Sequence, residues 1–294
     1  MTYICDYKKT SHMGIGLLLT TVLTAMISAC GAVDSGAENN QVISEQSNVP
    51  YLAEQISKSS FIETTDEDSE TDTSTSLQAY SMTTDELENF LYWLYTPENP
   101  AENMPLIVYL HGASGRGKEL DLVVSDEDFP RYLKLGELGY VRAYVLIPQL
   151  PSEMRGWSNI CDSLYSLIQK TVSEYSIDKN NISLAGFSMG GTATWEFAAE
   201  YPDLFARIAP LSGSARGVLD QITALQDIPA WAFVGSADTV IAPNSSEQMI
   251  AELKRAGATA KITVFDGADH ASVPSLTYLD ENIHLVDWLL GKTE

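Results

Sequence analysis

Leu184-Ala185-Gly186-Phe187-Ser188-Met189-Gly190-Gly191 is the stretch on which the reading of this chain turns. An apolar strand over residues 181–185, with Ile182 and Leu184, runs straight into a Gly-x-Ser-x-Gly turn. Residues 192–201 follow as a helical pattern stopped by Pro202. Strand, sharp turn and helix in that order display a serine hydroxyl at the end of a sheet. The turn leaves no space for side chains beside the serine, so Gly186 and Gly190 relieve the crowding and permit strained backbone angles at Ser188. The pentapeptide alone is a weak signal; its setting carries the weight.

A serine hydroxyl attacks poorly unless a base removes its proton, so a histidine and an acid are sought downstream in the order Ser, acid, His. Residues 229–234 read as a buried strand, and Ser236-Ala237-Asp238-Thr239-Val240 follows as its C-terminal loop. A helix over 245–256 and a strand over 261–265 come next, and then Asp266-Gly267-Ala268-Asp269-His270. This order assigns Ser188 as nucleophile, Asp238 as acid and His270 as base. Asp266 and Asp269 are rival acids, but a neighbour in the same tight loop rarely points back at the ring. His12 falls in a leader segment and His284 inside a C-terminal helix read over 276–290.

Attack on a carbonyl also needs two N–H donors for the developing oxyanion. Leu106-Ile107-Val108-Tyr109-Leu110-His111-Gly112-Ala113-Ser114-Gly115 is an apolar strand ending in a glycine-rich loop. The backbone N–H groups of Ala113 and Met189 are the candidate donors. His111 is read mainly as a brace for the loop; together with Trp157, in the loop 150–160, it is also a candidate for the substrate pocket. A phosphate-binding reading of residues 112–118 fails on spacing, because Lys118 is followed by Glu119 rather than Ser or Thr.

These residues resemble the α/β-hydrolase superfamily. Within it they look most like secreted bacterial esterases: feruloyl and acetylxylan esterases, polyhydroxybutyrate depolymerases, and the phospholipase/carboxylesterase or peptidase-like group. The resemblance is carried by residues 104–112, 186–195, 201–213 and 235–238, and it spans about residues 85–292. It implies a serine hydrolase acting on carboxylic esters, with the residue roles given above and no cofactor. The run Ala271-Ser272-Val273-Pro274 departs from the pattern, which often has a tryptophan soon after the catalytic histidine.

The expected fold class is α/β: a mainly parallel sheet covered by helices on both faces, without a large cap domain. Strands are read over 89–95, 105–110, 141–147, 181–185, 206–211, 229–234 and 261–265. Helices are read over 129–138, 161–175, 192–199, 216–225, 245–256 and 276–290. The active site then belongs at the C-terminal edge of the sheet. The segment 114–129 reads as a long acidic loop shaping the pocket.

Residues 1–30 read as a lipoprotein signal peptide: Lys8 and Lys9, an apolar run over 14–27, then Ile27-Ser28-Ala29-Cys30. The end resembles a bacterial lipobox, in which Cys30 is acylated and anchors the protein to a membrane. Residues 31–80 carry ten acidic groups against the single Lys58 and read as a disordered Ser/Thr-rich tether, with the catalytic domain over 81–294. The formal net charge of −23 argues against nucleic acid as a partner. With Cys5 removed and Cys30 acylated, Cys161 is expected to lack an intrachain partner, and no Cys/His spacing suggests a metal.

The function expected is hydrolysis of short-chain or carbohydrate-linked (feruloyl or acetyl) esters outside the cell, by a bacterial cell-surface or envelope lipoprotein whose substrate is a small ester or a polysaccharide-linked ester. Two alternatives stand beside it: a serine peptidase of small peptides, and a non-catalytic surface binding lipoprotein.

Overall fold

The computed structural model describes residues 76–292 of the chain. The signal peptide, Cys30 and most of the expected tether lie outside the described residues. Among the described residues eight strands form one sheet: β1 (Leu77–Met82), β2 (Phe90–Tyr95), β3 (Met104–Leu110), β4 (Tyr144–Pro148), β5 (Ile177–Phe187), β6 (Arg207–Leu211), β7 (Ala230–Gly235) and β8 (Ala260–Phe265). Their spatial order is β1-β2-β4-β3-β5-β6-β7-β8. The β1–β2 and β2–β4 pairs are antiparallel, and every later pair is parallel.

Among the described residues eight α-helices lie between the strands or after the last of them: α1 (Asp121–Ser125), α2 (Asp128–Leu135), α3 (Cys161–Glu174), α4 (Met189–Glu200), α5 (Ile222–Leu225), α6 (Asn244–Arg255), α7 (Ser272–Tyr278) and α8 (Leu285–Leu289). The central strands are apolar on both faces because helices cover both. On β3 the side chains alternate. Leu106, Val108 and Leu110 enter a core shared with α3, α4 and α6, whereas Ile107 and Tyr109 enter one shared with α1, α2, α7 and α8. This is the α/β architecture expected, and β3, β5, β7 and β8 all point their C-terminal ends to the same edge.

Four expectations need correction. The tether does not run to residue 80, because Leu77–Met82 pairs along its length with β2; its alternating Leu-Gln-Ala-Tyr-Ser-Met is the half-exposed pattern of an edge strand, which composition alone reads as linker. The C-terminal helix is split into α7 and α8. Asp280 accepts the Asn282 N–H at 2.8 Å, the Ile283 N–H bonds to the Asp280 carbonyl, and His284 takes φ 46°, so an Asx-type turn outcompetes the helix. The segment 114–129 is not one loop, since α1 and the start of α2 form within it around Val123, Val124 and Phe129, which are buried. Finally, the expectation that Cys161 has no partner does not hold.

Candidate active site

β5 ends at Phe187 and α4 begins at Met189, so Ser188 alone makes the turn between them, at φ 56° and ψ −113°. Such angles cost a non-glycine residue about 1–3 kcal/mol and persist only where the surroundings enforce them. Here the enforcement is steric and hydrogen-bonded. A Cβ on Gly190 would lie 1.8 Å from the Leu110 carbonyl oxygen, so the first turn of α4 rests directly on the end of β3. The Ser188 N–H donates to the Leu211 carbonyl at 2.9 Å, tying the turn to β6 on its other side. Ser188 itself is only half-buried, which leaves its hydroxyl open to a substrate.

The loops after β7 and β8 are packed against each other. Gly235 has no room for a side chain, since a Cβ there would meet the Ala268 carbonyl at 2.4 Å, and the Ala237 N–H donates to that same carbonyl at 3.0 Å. This contact sets Asp238 beside His270. The Asp238 side chain is 1 % exposed; one oxygen accepts the Val240 and Ile241 N–H groups at 2.9 Å each, and the other lies 2.7 Å from His270 Nδ1. His270 Nε2 lies 2.8 Å from Ser188 Oγ. With the ring's Nδ1–H donated to Asp238, Nε2 is left to accept the serine proton. The Phe187 ring packs against the imidazole, with centroids 4.9 Å apart.

Thus the structure brings Ser188, His270 and Asp238 into one chain of hydrogen bonds. The rival carboxylates face elsewhere: Asp266 accepts from the Ser236 hydroxyl at 3.3 Å, and Asp269 accepts the Ser272 N–H and hydroxyl at 3.0 and 2.6 Å. Asp269 thus holds the first N–H of α7, and its carboxyl is held below the ordinary range chiefly by the Ser272 hydroxyl.

Gly112 abuts the serine, for a Cβ built on it would lie 3.4 Å from Ser188 Cβ. Ala113 follows it on the loop, and Met189 is the first residue of α4, where an N–H has no acceptor within the helix. His111 and Trp157, the candidates for the substrate pocket, are both buried beside that loop. They are 0 % and 3 % exposed and pack edge to face at 4.9 Å, with the indole N–H donating to the His111 carbonyl at 3.2 Å.

His111 is the brace. Its Nδ1–H donates to the Gly112 carbonyl at 2.6 Å, and its Nε2 accepts the Leu150 N–H at 2.9 Å, so the neutral ring is fully used. Burial lowers its pKa to about 4. Between pH 4 and the unfolded value of 6.5, the unfolded chain binds a proton that folded His111 refuses. Its contribution is intact above about pH 6.5 and falls by about 3 kcal/mol as pH drops towards 4. Urea unfolding midpoints should therefore decline between pH 7 and 4.5, and His111→Gln, less stable at pH 7, should show a flatter decline. Equal slopes in the two proteins would remove His111 as the cause.

Sequence reasoning passed over Glu127, which is 2 % exposed beside the Gly112 loop. It sits in an acidic run from Glu119 to Asp128, and nothing in that run marks one carboxylate as buried. Among the described residues no group of three or more His, Cys, Asp or Glu is placed to hold a metal, and no helix is long and apolar enough to cross a membrane.

Residues 149–277 match the dienelactone hydrolase family. Feruloyl esterase B of Thermothelomyces thermophilus is 28% identical over 151 residues, covering 48% of this chain and 50% of that protein. Acetylxylan esterase A of Aspergillus awamori is 27% identical over 152 residues, covering 48% of each. The chain thus spans about half the length of these two relatives. Among solved structures, a thermostable esterase superimposes with a TM-score of 0.64 at 28% identity, over 74% of this chain and 63% of that one. Sheet order, the strained serine turn and these likenesses together make the chain a protein of the α/β-hydrolase fold, similar over residues 149–277 to the dienelactone hydrolases.

Proposed function

We propose that this protein is a serine carboxylesterase that forms an acyl-enzyme on Ser188. The observation that carries the reading is the hydrogen-bonded relay itself, Ser188 Oγ to His270 Nε2 at 2.8 Å and His270 Nδ1 to Asp238 at 2.7 Å, on a half-buried serine. His270 takes the hydroxyl proton as Oγ attacks the ester carbonyl, and then delivers it to the leaving alcohol. Asp238 holds the tautomer that keeps Nε2 free, and stabilises the imidazolium as it forms. The N–H groups of Ala113 and Met189 receive the oxyanion. Water activated by the same histidine then releases the acid.

Short-chain or carbohydrate-linked acetyl and feruloyl esters are the proposed substrates. The names of the two esterase relatives support that choice, and the short connections between most elements leave the serine without a large covering cap. The test is a panel of p-nitrophenyl acetate, butyrate and decanoate, methyl ferulate, acetylated xylan and an aminoacyl nitroanilide. Cleavage of the short esters by the wild-type protein supports the reading. Cleavage of the anilide alone would replace it with a peptidase, and no turnover of any member would leave a binding protein.

The extracytoplasmic, lipid-anchored location through Cys30 belongs to the same proposal and rests on the sequence of residues 1–30. In a bacterial host, labelled palmitate should be incorporated into the wild-type chain and not into Cys30→Ser. Equal labelling of both would remove Cys30 as the anchor.

A further inference from the structure

The loop Gly112-Ala113-Ser114-Gly115 has almost no side chains with which to fix its own shape. On one side the His111 ring holds it: Nδ1–H binds the Gly112 carbonyl at 2.6 Å, and Gly115 lies so close over the ring that a Cβ would meet it at 2.7 Å. On the other side lies Glu127. This residue stands at the N-terminus of α2, yet its carboxylate makes no capping bond to that helix. It turns into the protein, where Oε1 accepts the Ser114 hydroxyl at 2.6 Å. A Cβ on Gly112 would lie 3.2 Å from that same oxygen and 3.4 Å from Ser188 Cβ, so Gly112 is held between the carboxyl and the serine.

A buried carboxyl is expensive without a cation, and Glu127 makes no ion pair with a described residue. Burial pushes its pKa up. The Ser114 hydroxyl and the N–H groups of Gly112 and Gly115 pull it back, so the groups that favour its charged form come from the loop. Behind it Tyr109, Phe129 and Tyr278 form an aromatic wall, with successive ring centroids 4.8 Å apart. Glu127 Oε2 and the two tyrosine hydroxyls find no hydrogen-bond partner among the described residues. A leucine would fit such a wall at lower cost, and an unpaired buried carboxyl kept at a functional loop points to a role there.

We propose that Glu127 is a positioning residue: its carboxyl clamps the 112–115 loop against Ser188 and so aims the Ala113 N–H at the oxyanion. The catalytic consequence rests on the esterase reading above, whereas the clamp itself does not. Three variants of the full chain, Glu127→Leu, Glu127→Gln and Ser114→Ala, test it by amide hydrogen exchange of the loop, by kcat and KM on p-nitrophenyl acetate, and by Tm. In Glu127→Leu the loop amides should exchange about tenfold faster or more and kcat should fall about 100-fold, the loss typical of one oxyanion donor, with KM within about threefold. Glu127→Gln keeps an oxygen for the Ser114 hydroxyl and should retain exchange and kcat within about threefold of wild type. Ser114→Ala should fall between the two at unchanged Tm.

Unchanged loop exchange in a folded Glu127→Leu protein overturns the proposal, as does a Glu127→Gln protein that loses as much kcat as the leucine variant. Should Glu127→Leu not fold, Ser114→Ala decides, and wild-type exchange together with wild-type kcat there overturns it equally. A wild-type protein without Ser188-dependent turnover would sink the esterase reading, while loop exchange would still decide the clamp.

Discussion

Ser188→Ala should abolish ester hydrolysis, lowering kcat by about 10⁶-fold while leaving the fold intact. The magnitude follows from the chemistry proposed. Without Oγ there is no acyl-enzyme, and what remains is water attacking a substrate held by the oxyanion donors. The fold should survive because the strain at residue 188 lies in its backbone, at φ 56°, where alanine is no worse placed than serine. The groups that enforce the turn are backbone atoms and glycines, including the Ser188 N–H to Leu211 bond at 2.9 Å. Turnover and urea unfolding of the same preparation check both halves. Residual activity within tenfold of wild type would discard Ser188 as nucleophile.

Asp238→Asn should lower kcat by about 10⁴-fold with little change in KM. Asparagine has nearly the same shape, so the Val240 and Ile241 N–H bonds at 2.9 Å have an oxygen available to keep them. The amide would then turn its NH₂ towards His270 Nδ1, fixing the tautomer with the proton on Nε2, which cannot accept the serine proton. Asp266→Asn and Asp269→Asn are the controls, and each should stay within about threefold, because those carboxylates serve Ser236 and Ser272. If Asp269→Asn proved the damaging change, the acid would have been assigned to the wrong aspartate.

Much of the fold was legible because buried parallel strands announce themselves as short apolar runs, and six of the seven strands read from sequence fall within three residues of observed bounds at both ends. The exception is β5, read as 181–185 but extending over Ile177–Phe187: after the single buried Ile177 its first half is polar, with Lys179 and Asn180 exposed, so no apolar run marks it. The edge strand β1 was hidden for the same reason. The break between α7 and α8 escaped because Leu276, Leu279, Ile283, Val286 and Leu290 recur at steps of three and four, which suits one continuous helix, whereas a local Asp280 to Asn282 bond decides otherwise.

By itself the sequence determined the strand-turn-helix at Ser188, the order of serine, acid and base loops, and the sheet edge to which all three belong. Those are local properties, set by apolar runs, glycines and prolines within a few residues of one another. Only the tertiary structure decided which of three aspartates faces His270, that His111 and Trp157 are buried and packed on each other, and that Glu127 turns inward to the loop beside Ser188. The direction of a side chain depends on what the rest of the fold brings against it. Asp238 reaches His270 because Gly235 lets the β7 end touch the Ala268 carbonyl, a contact between residues 33 apart that no local pattern encodes.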